Sequence, residues 1–411
     1  MRIGFLFNHD QVHQVAHSLP IALALARGGG RDLEIVVATT NRRLAAEVIR
    51  LGDGLIGHGV DLVELGLTRR SSKLLAATAE AVLPATKLLV YRDNLDFFRS
   101  LDILVVAEKT SLILKTRYGL KNLKIVHTRH GAGDRAIGFD KASAGFDHVL
   151  VSGRKIRDRL IQETGVDPAK ISIVGYPKFD LLPMRGATHP LLDDGRPVVL
   201  YNPHVSPHLS SWYEAGRRVL DWFVERDDHH LIFAPHVMLF ERPFVATIDK
   251  LRLDRAGRIE ERYLRAPNIH IDLGSRASTT MAYTQRADLY LGDVSSQVYE
   301  FLLRPRPCVF LNTHRFTWSG DPNFGHWRAG PVIEEVTDLE AAMERSRREH
   351  EPLWRPVQEA LFDESFDLTG EPSAQRAARA VARFAGLAWP DPVTRPAVET
   401  HGLARTGTGA F

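Results

Sequence analysis

The chain has 411 residues, a length that favours two domains over a single hydrophobic core. Hydrophobic residues make up 44% and charged residues 25%, as in soluble globular proteins, and a formal net charge of only +3 argues against bulk nucleic-acid binding. The single cysteine, Cys308, excludes an internal disulfide and predicts a buried thiol in a reducing compartment. Neither a signal peptide nor a transmembrane helix is expected, because no apolar segment has the required length and flanks.

The first half of the sequence alternates short apolar runs with segments of helical periodicity. The predicted strands lie at residues 3–7, 33–38, 61–65, 103–106, 124–127 and 148–151. The predicted helices lie at residues 15–27, 44–51, 72–100 and 111–118. Strands that alternate with helices predict a parallel sheet with both faces covered.

The alternation stops near residue 178 and begins again at residue 198. The predicted strands of this half lie at residues 198–201, 231–234, 269–272, 287–291 and 308–311. The predicted helices lie at residues 212–224, 244–253, 279–286 and from 295 onwards. The sequence therefore predicts an N-terminal domain at 1–178, a linker at 179–196, a second domain at 197–365, a C-terminal helix at 366–388 and a flexible tail at 389–411.

Residues 287–302 are the segment from which the search for a site begins. They predict a buried strand, a polar turn that contains Asp293, and a helix that begins at Ser295 and Ser296. A helix N-terminus carries unpaired N–H groups and a partial positive charge, so it suits phosphate. Glu300 shares a helix face with Ser296 and would lie within reach of a ribose. Taken alone, a capped helix after a strand is the simpler interpretation.

A dense polar cluster follows the strand predicted at residues 124–127. Residues 127–135 contain two histidines (His127 and His130), two arginines (Arg129 and Arg135) and two glycines. Histidine suits general base catalysis near neutral pH, and a glycine such as Gly131 lets the backbone approach a ligand closely. His130 is the predicted base because it lies past the strand end.

Two further strands end in Pro-His pairs, at His204 and at His236. The carboxyl ends of parallel strands share one edge of a sheet, and ligands of open α/β sheets bind there. We therefore expect the two imidazoles on one rim, in a cleft between the two domains. Their spacing fits no closed metal site, so a phosphate or acceptor site is predicted, with no metal and no cofactor.

Together and in this order, these motifs resemble the CDP-glycerol glycerophosphotransferases, which build teichoic-acid-type polymers. The resemblance rests on Arg-His-Gly-Ala at residues 129–132, Pro-His at 235–236 and Gly-Asp-Val-Ser-Ser-Gln-Val-Tyr-Glu-Phe at 292–301, and it covers roughly residues 124–312. It implies the GT-B fold, an α/β architecture of two doubly wound Rossmann-like domains that face each other across a cleft.

The resemblance also implies residue roles. His130 would be the general base on the acceptor hydroxyl, and His236 would bind the phosphate under attack. Ser295 and Ser296 would bind the pyrophosphate. The full predicted set of donor- and phosphate-binding residues is Ser295, Ser296, Asp293, Glu300, Gly131, Arg129, Arg135 and His204.

The sequence departs from the family pattern at four of these motif positions. Arg129 stands where the family has tryptophan, Ala132 where it has threonine, Val294 where it has tyrosine and Glu300 where it has aspartate. The last change moves the motif toward nucleotide-sugar glycosyltransferases, in which a helix glutamate commonly holds the ribose. The resemblance therefore predicts the fold more firmly than the donor.

The expected function is transfer of a glycerophosphate or polyol phosphate from a CDP-activated donor to a glycan or lipid-linked acceptor, in the synthesis of cell-envelope polysaccharide. Three alternatives stay open: a nucleotide-sugar-dependent glycosyltransferase, a sugar-nucleotide 2-epimerase and a non-catalytic nucleotide-binding protein. The expected location is the cytoplasm, with no nucleic-acid partner. Peripheral attachment to the inner face of the membrane also stays open, through the cationic residues 69–75, although an ordinary domain helix is the simpler interpretation of that stretch.

Overall fold

The structure is a computed structural model that describes residues 1–8, 11–30, 32–72, 85–129, 131–135, 138–181, 194–241, 244–247 and 252–390. Its strands are β1 (Arg2–Phe7), β2 (Glu34–Thr39), β3 (Asp61–Glu64), β4 (Ile103–Val106), β5 (Lys124–Thr128), β6 (His148–Val151), β7 (Ile171–Ile173), β8 (Val198–Asn202), β9 (His230–Phe233), β10 (Val245–Thr247), β11 (Arg252–Asp254), β12 (Ile269–Ile271), β13 (Leu289–Gly292), β14 (Cys308–Leu311) and β15 (Val332–Ile333). Its α-helices are α1 (Val15–Gly28), α2 (Arg42–Leu51), α3 (Ala85–Asp93), α4 (Leu95–Arg99), α5 (Ile113–Thr116), α6 (Arg154–Arg159), α7 (Arg217–Val224), α8 (Glu261–Arg265), α9 (Ala282–Arg286), α10 (Gln297–Phe301), α11 (Leu339–Arg348), α12 (Arg355–Ser365) and α13 (Ser373–Phe384).

Seven parallel strands form the first sheet, in the order β3-β2-β1-β4-β5-β6-β7. The chain winds outward from β1 to β3 and then from β4 to β7, which is the doubly wound pattern with helices on both faces. Because both faces are covered, central strands are continuous apolar runs. All four residues of β4, for example, are buried.

The helix α13 packs into the first sheet's core, although the whole of the second sheet lies between them in the sequence. Ala377 and Val381 of α13 lie in the same buried cluster as residues of α1. The Asp180 carboxylate accepts hydrogen bonds from the N–H groups of Ser373 (3.1 Å) and Ala374 (2.7 Å), and so caps this helix. Burial raises the pKa of Asp180 to about 6. Trp389, at the start of the predicted tail, is half-buried against the same core.

Six parallel strands form the second sheet, in the order β12-β9-β8-β13-β14-β15. The strand β8 lies at its centre, paired with β9 on one side and β13 on the other. Aromatic rings fill one face, where Trp212 stacks on Phe233 with 5.0 Å between the ring centroids. These three central strands are the ones whose carboxyl ends carry predicted site residues.

Contacts divide the chain into two compact units. The first holds β1 to β7 together with α13, and the second holds β8 to β15. The second unit also includes the short segment Ala132–Gly138, although the sequence on both sides of this segment belongs to the first. The boundaries predicted from the sequence place that segment in the N-terminal domain and α13 in neither domain. Most of the predicted linker, residues 182–193, lies outside the described residues.

The helix predicted at residues 244–253 is wrong. The structure has an antiparallel pair there, with β10 and β11 in register from Val245 opposite Asp254 to Thr247 opposite Arg252. The apolar spacing suggested a helix, but Val245 and Thr247 are β-branched, and such residues favour extended backbone. Local propensity therefore outweighs periodicity in this segment.

The helix predicted at residues 72–100 lies only in part within the described residues, which resume at residue 85 with α3 and α4. The cationic stretch at 69–75 is likewise described only as far as Ser72. There Nε of Arg69 lies 3.7 Å from Oδ1 of the buried Asp93 carboxylate, an ion pair that is expected for an ordinary domain segment. Within the described parts of the chain, no helix combines the length and apolarity needed to cross a bilayer.

The prediction of a buried cysteine is confirmed. Cys308 opens β14, and its side chain is buried. Burial raises the pKa of its thiol far above the ordinary range, so the nucleophilic thiolate is not formed near neutral pH. The cysteine therefore belongs to the core of the second sheet.

Candidate functional site

Three adjacent strands of the second sheet present polar residues at one edge. His236 follows β9, His204 follows β8, and Asp293 follows β13. Because the three strands are parallel neighbours, these residues lie at the same edge. The prediction that the two Pro-His strand ends share one rim is confirmed, and the His204 and His236 ring centroids are 5.8 Å apart.

The two histidines stand in matching Pro-His-Val segments and are held in the same way. The backbone N–H of Ser206, two residues after His204, donates to His204 Nδ1 at 2.9 Å. The backbone N–H of Met238, two residues after His236, donates to His236 Nδ1 at 3.3 Å. A neutral imidazole that accepts at Nδ1 carries its proton at Nε2. His236 therefore presents an Nε2–H donor.

Arg135 brings further donors to this place. Its Nη1 atom contacts Nε2 of His204 within the second unit. Burial and the Arg135 charge together lower the pKa of His204 well below its ordinary value and that of His236 to about 4. Both imidazoles are therefore neutral near pH 7. The N–H groups of the Arg135 guanidinium and of the neighbouring His236 are donors that an oxygen anion can satisfy.

Nuclear magnetic resonance tests this protonation state. At pH 7 the ring nitrogens of His236 are expected to show the neutral Nε2–H tautomer, and they should keep it down to about pH 5, one unit above its pKa of about 4. The measurement is a pH series of ¹⁵N spectra of imidazole-labelled protein, assigned with His236→Gln. An imidazolium signal for His236 at pH 6 would contradict the donor arrangement.

The Asn202 side chain connects the ends of β8, β9 and β13 through hydrogen bonds. Its Nδ2 donates to the carbonyl oxygen of Ala234 after β9, at 2.6 Å. Its Oδ1 accepts from the hydroxyl of Ser295 at 2.6 Å and from that of Tyr290 at 3.3 Å. The predicted phosphate ligand Ser295 is thus buried, with its hydroxyl directed to Asn202. Its hydroxyl serves to hold the turn against β8 in this state.

The other residues of the motif differ in exposure. Ser296 is exposed, while Glu300 is buried with 7% of its surface accessible. The helix α10 is shorter than predicted, because it begins at Gln297 rather than at Ser295 and ends at Phe301. Five residues align few peptide dipoles, so the N-terminus of this helix carries only a weak positive charge.

The Asp293 side chain connects several segments at this edge of the second sheet. Its buried carboxylate accepts hydrogen bonds from the N–H groups of His204 (2.9 Å), Ser211 (2.6 Å) and Val294 (2.6 Å), and from the Ser211 hydroxyl (2.9 Å). Burial outweighs these bonds and raises the pKa of Asp293 to about 6. This carboxylate therefore holds the His204 loop against the β13 turn.

The segment Ala132–Gly138 lies against the start of the motif helix. A Cβ atom added to Gly133 would lie only 3.1 Å from the Cβ of Ser296, so glycine permits this approach. The next residue, Asp134, is buried, and its Oδ2 accepts from the Tyr299 hydroxyl at 2.6 Å and from His326 Nδ1 at 2.9 Å. The segment thereby brings Arg135 to the histidines.

Three residues with a part in this edge were not assigned by sequence reasoning. Tyr299 was quoted only as part of a motif, and His326 and Trp327 lie on a 3-10 segment, Pro322–Ala329, that follows no strand. His326 Nε2 and Trp327 Nε1 both donate to the carbonyl oxygen of Asp293, at 3.0 and 2.7 Å. A search limited to strand ends does not find such residues. The one sequence feature that could have indicated them is the adjacent pair of a histidine and a tryptophan at residues 326–327.

The remaining predicted site residues belong to the first unit. The Arg129 guanidinium lies over the Phe139 ring, 4.5 Å from the ring centroid. Burial lowers the pKa of Arg129 to about 10. Gly131 has a φ of 139°, a conformation that favours glycine. His130 lies outside the described residues, so its assignment as general base stays a prediction.

Histidine, cysteine and acidic side chains do not form a metal-binding group of three or more anywhere in the described parts of the chain. At this edge His236 accepts at Nδ1 from the backbone, so its Nε2 carries a proton that a metal ligand would have to lose.

No family model matches the sequence, and no curated protein matches it. Solved structures do match. A variant of the wall teichoic acid polymerase TagF, soaked with CDPG, superposes with a TM-score of 0.56 at 15% identity, over 93% of this chain and 87% of that chain. A putative UDP-N-acetylglucosamine 2-epimerase from Listeria monocytogenes has a TM-score of 0.53 at 14% identity, over 95% and 98%.

A third similar structure is the glycotransferase of kitacinnamycin, with a TM-score of 0.51 at 13% identity, over 95% of this chain and 99% of that chain. At these identities the similarity shows the fold alone. The predicted GT-B fold, built from two Rossmann-like parallel sheets, is thereby confirmed.

Proposed function

We propose that the chain is a transferase whose second unit binds a nucleoside-diphosphate-linked donor at Arg135, His204 and His236. The preferred reaction moves glycerophosphate or another polyol phosphate from a CDP-linked donor to a glycan or lipid-linked acceptor. This choice rests on the motif resemblance, and it accords with the similarity to TagF. The expected setting is the synthesis of a cell-surface polymer.

The observation that carries the proposal is the cluster of Arg135, His204 and His236 at one edge of the second sheet. The backbone N–H of Met238 fixes His236 as an Nε2–H donor, and the Arg135 guanidinium, which has donors only, contacts His204. Such donors suit a phosphate group. Arg135 also supplies a positive charge at a half-buried position, where it acts more strongly than in bulk water.

In the preferred reaction an acceptor oxygen forms a bond to the phosphorus distal to the nucleoside. The bond between that phosphorus and the bridging oxygen breaks, and CMP leaves with the electron pair. His130 would take the proton of the acceptor hydroxyl, the role that the motif resemblance implies for it, since an imidazole suits general base catalysis near neutral pH. Arg135, His204 and His236 would stabilise the charge that develops on the departing nucleotide.

Ligand-dependent stabilisation tests this proposal. CDP is expected to raise the melting temperature of the protein more than UDP, GDP or ADP do, because binding to the folded state alone stabilises it. The same shift should be lost in Arg135→Ala. Release of CMP from CDP-glycerol in the presence of acceptor would identify the reaction. A shift with UDP or GDP alone would exclude the CDP-linked donor, and an unchanged shift in Arg135→Ala would exclude the cluster as the binding site.

The second candidate is a glycosyltransferase that uses a nucleotide sugar. One observation favours it: position 300 carries a glutamate on the motif helix, where the resembled family has aspartate. The same donor cluster would hold the diphosphate, but the bond would break at the anomeric carbon. The products separate the two reactions, because a nucleoside diphosphate is then released in place of CMP.

A 2-epimerase needs carboxylates that are free to exchange protons with the sugar. The two buried aspartates of this edge are already engaged, since Asp293 accepts four hydrogen bonds and Asp134 holds Tyr299 and His326. This engagement argues against epimerase chemistry. A protein that binds nucleotides without turnover would show the melting-temperature shift but no product from any donor.

A further inference from the structure

We propose that Asp134, Tyr299 and His326 are positioning residues that hold Arg135 at the imidazoles of His204 and His236. The proposal rests on the function proposed above for this edge. We call the three residues the aspartate clamp. None of them is needed as a direct ligand of the donor, and the sequence motifs assign none of them a role.

The clamp is built on one carboxylate oxygen. Asp134 Oδ2 accepts from the Tyr299 hydroxyl at 2.6 Å, from His326 Nδ1 at 2.9 Å and from the His326 backbone N–H at 3.1 Å. All three side chains are buried. Hydrogen bonds to a buried charged group are among the stronger ones, so this end of the segment Ala132–Gly138 is firmly attached.

The clamp also connects the segment to the β13 turn. His326 directs its two ring nitrogens at two oxygens, Oδ2 of Asp134 and the carbonyl oxygen of Asp293 at 3.0 Å. Trp327 Nε1 donates to the same carbonyl oxygen at 2.7 Å. One histidine therefore fixes the distance between the segment and the turn that carries Ser295.

Arg135 follows Asp134 directly in the chain, so the clamp fixes the backbone from which the Arg135 side chain reaches His204. A long arginine side chain has many rotamers, and a fixed backbone limits where its guanidinium can lie. A donor site that is assembled in advance loses less conformational freedom when the ligand binds, and so binds it more tightly.

A binding experiment with inorganic pyrophosphate tests the clamp, because this probe carries the diphosphate without any nucleoside. We expect Asp134→Asn and Tyr299→Phe each to weaken pyrophosphate binding, measured by calorimetry, by roughly tenfold. Arg135→Ala should weaken it by about tenfold or more. Tyr263→Phe is the matched control, because its hydroxyl donates to Asp221 at 2.8 Å elsewhere in the second unit, and its affinity should stay unchanged.

A double variant separates positioning from general stability. In Arg135→Ala protein, the additional change Asp134→Asn should have no further effect on pyrophosphate affinity, since the group that the clamp positions is absent. Denaturation curves establish that each variant is folded. Additive losses in the double variant would overturn the positioning role. Unchanged affinity in Tyr299→Phe and Asp134→Asn, with a loss in Arg135→Ala, would also overturn it and leave the anion site intact. Unchanged affinity in Arg135→Ala would overturn both this inference and the proposed function.

Discussion

Replacing His236 with alanine is expected to lower kcat for donor turnover by about 100-fold, the usual loss when one pre-placed donor to a developing charge is removed. The Nδ1 atom of His236 is occupied by the backbone N–H of Met238, so its Nε2–H is directed as a neutral donor. A donor fixed before the reaction needs no reorganisation as the leaving group gains charge. Initial rates of nucleotide release with saturating donor measure the effect.

Two further variants serve as a partial rescue and as a control for this result. His236→Gln places an amide N–H near the position of Nε2, and it should recover part of the lost turnover. His270→Gln changes a histidine on neighbouring strand β12, whose Nε2 pairs with the Tyr283 hydroxyl at 2.8 Å, and it should leave kcat unaltered. A kcat for His236→Ala within about threefold of the unaltered protein would remove His236 from the chemistry, because such a ratio is under 1 kcal/mol.

Asp293→Ala is expected to lower the free energy of unfolding by about 3 kcal/mol or more, because each buried donor left without an acceptor costs about 1–3 kcal/mol. Three backbone N–H groups and one hydroxyl would lose their acceptor at once. Two of these groups belong to Ser211, and one belongs to His204. Chemical denaturation at pH 7 measures the loss.

Less disruptive substitutions should give smaller effects. Asp293→Asn keeps one acceptor oxygen and should lose about half as much, since half of the hydrogen bonds persist. Asp288→Ala removes an aspartate that is exposed but also accepts a backbone hydrogen bond, from the N–H of Val198 at 2.8 Å. It is the control and should lose about 1 kcal/mol or less. Equal losses at positions 288 and 293 would mean that Asp293 does not hold the edge together.

The same aspartate makes stability depend on pH in a defined direction. Burial raises the pKa of Asp293 from 3.8 to about 6, so the folded chain binds this proton more tightly than the unfolded chain. Below about pH 4 this proton contributes about 3 kcal/mol to the free energy of unfolding, and the contribution is lost as the pH rises through 6. Relative to Asp293→Asn, the unaltered protein should therefore gain stability on acidification from pH 7 to pH 4.

Much of the fold follows from local patterns. Apolar runs such as Ile103–Val106 are buried on both faces of a parallel sheet, and a run of this kind is readable without knowledge of its partners. The histidines after β8 and β9 were found for a related reason. Parallel strands place their carboxyl ends together, so a residue that follows one strand becomes a neighbour of a residue that follows the next.

The contacts around Asp134 could not be predicted in this way. Asp134 is 165 residues from Tyr299 and 192 from His326 along the chain, and no strand or helix pattern connects them. The segment that carries Asp134 also stands in the sequence among residues of the first sheet, while its contacts are with the second unit. Only a three-dimensional description joins these residues, because hydrogen bonds of buried side chains leave no periodic trace in a sequence.

The exchange of segments between the two units has a consequence for the order in which a ribosome can complete them. Synthesis runs from the N-terminus, yet the core around α1 contains Ala377 and Val381 of α13. That core is therefore incomplete until almost every other described element has left the ribosome. Conversely, Asp134 is made long before Tyr299 and His326 exist to hold it. Neither unit is thus complete before residue 365 of the chain has been made, unlike domains that fold one after the other as they emerge.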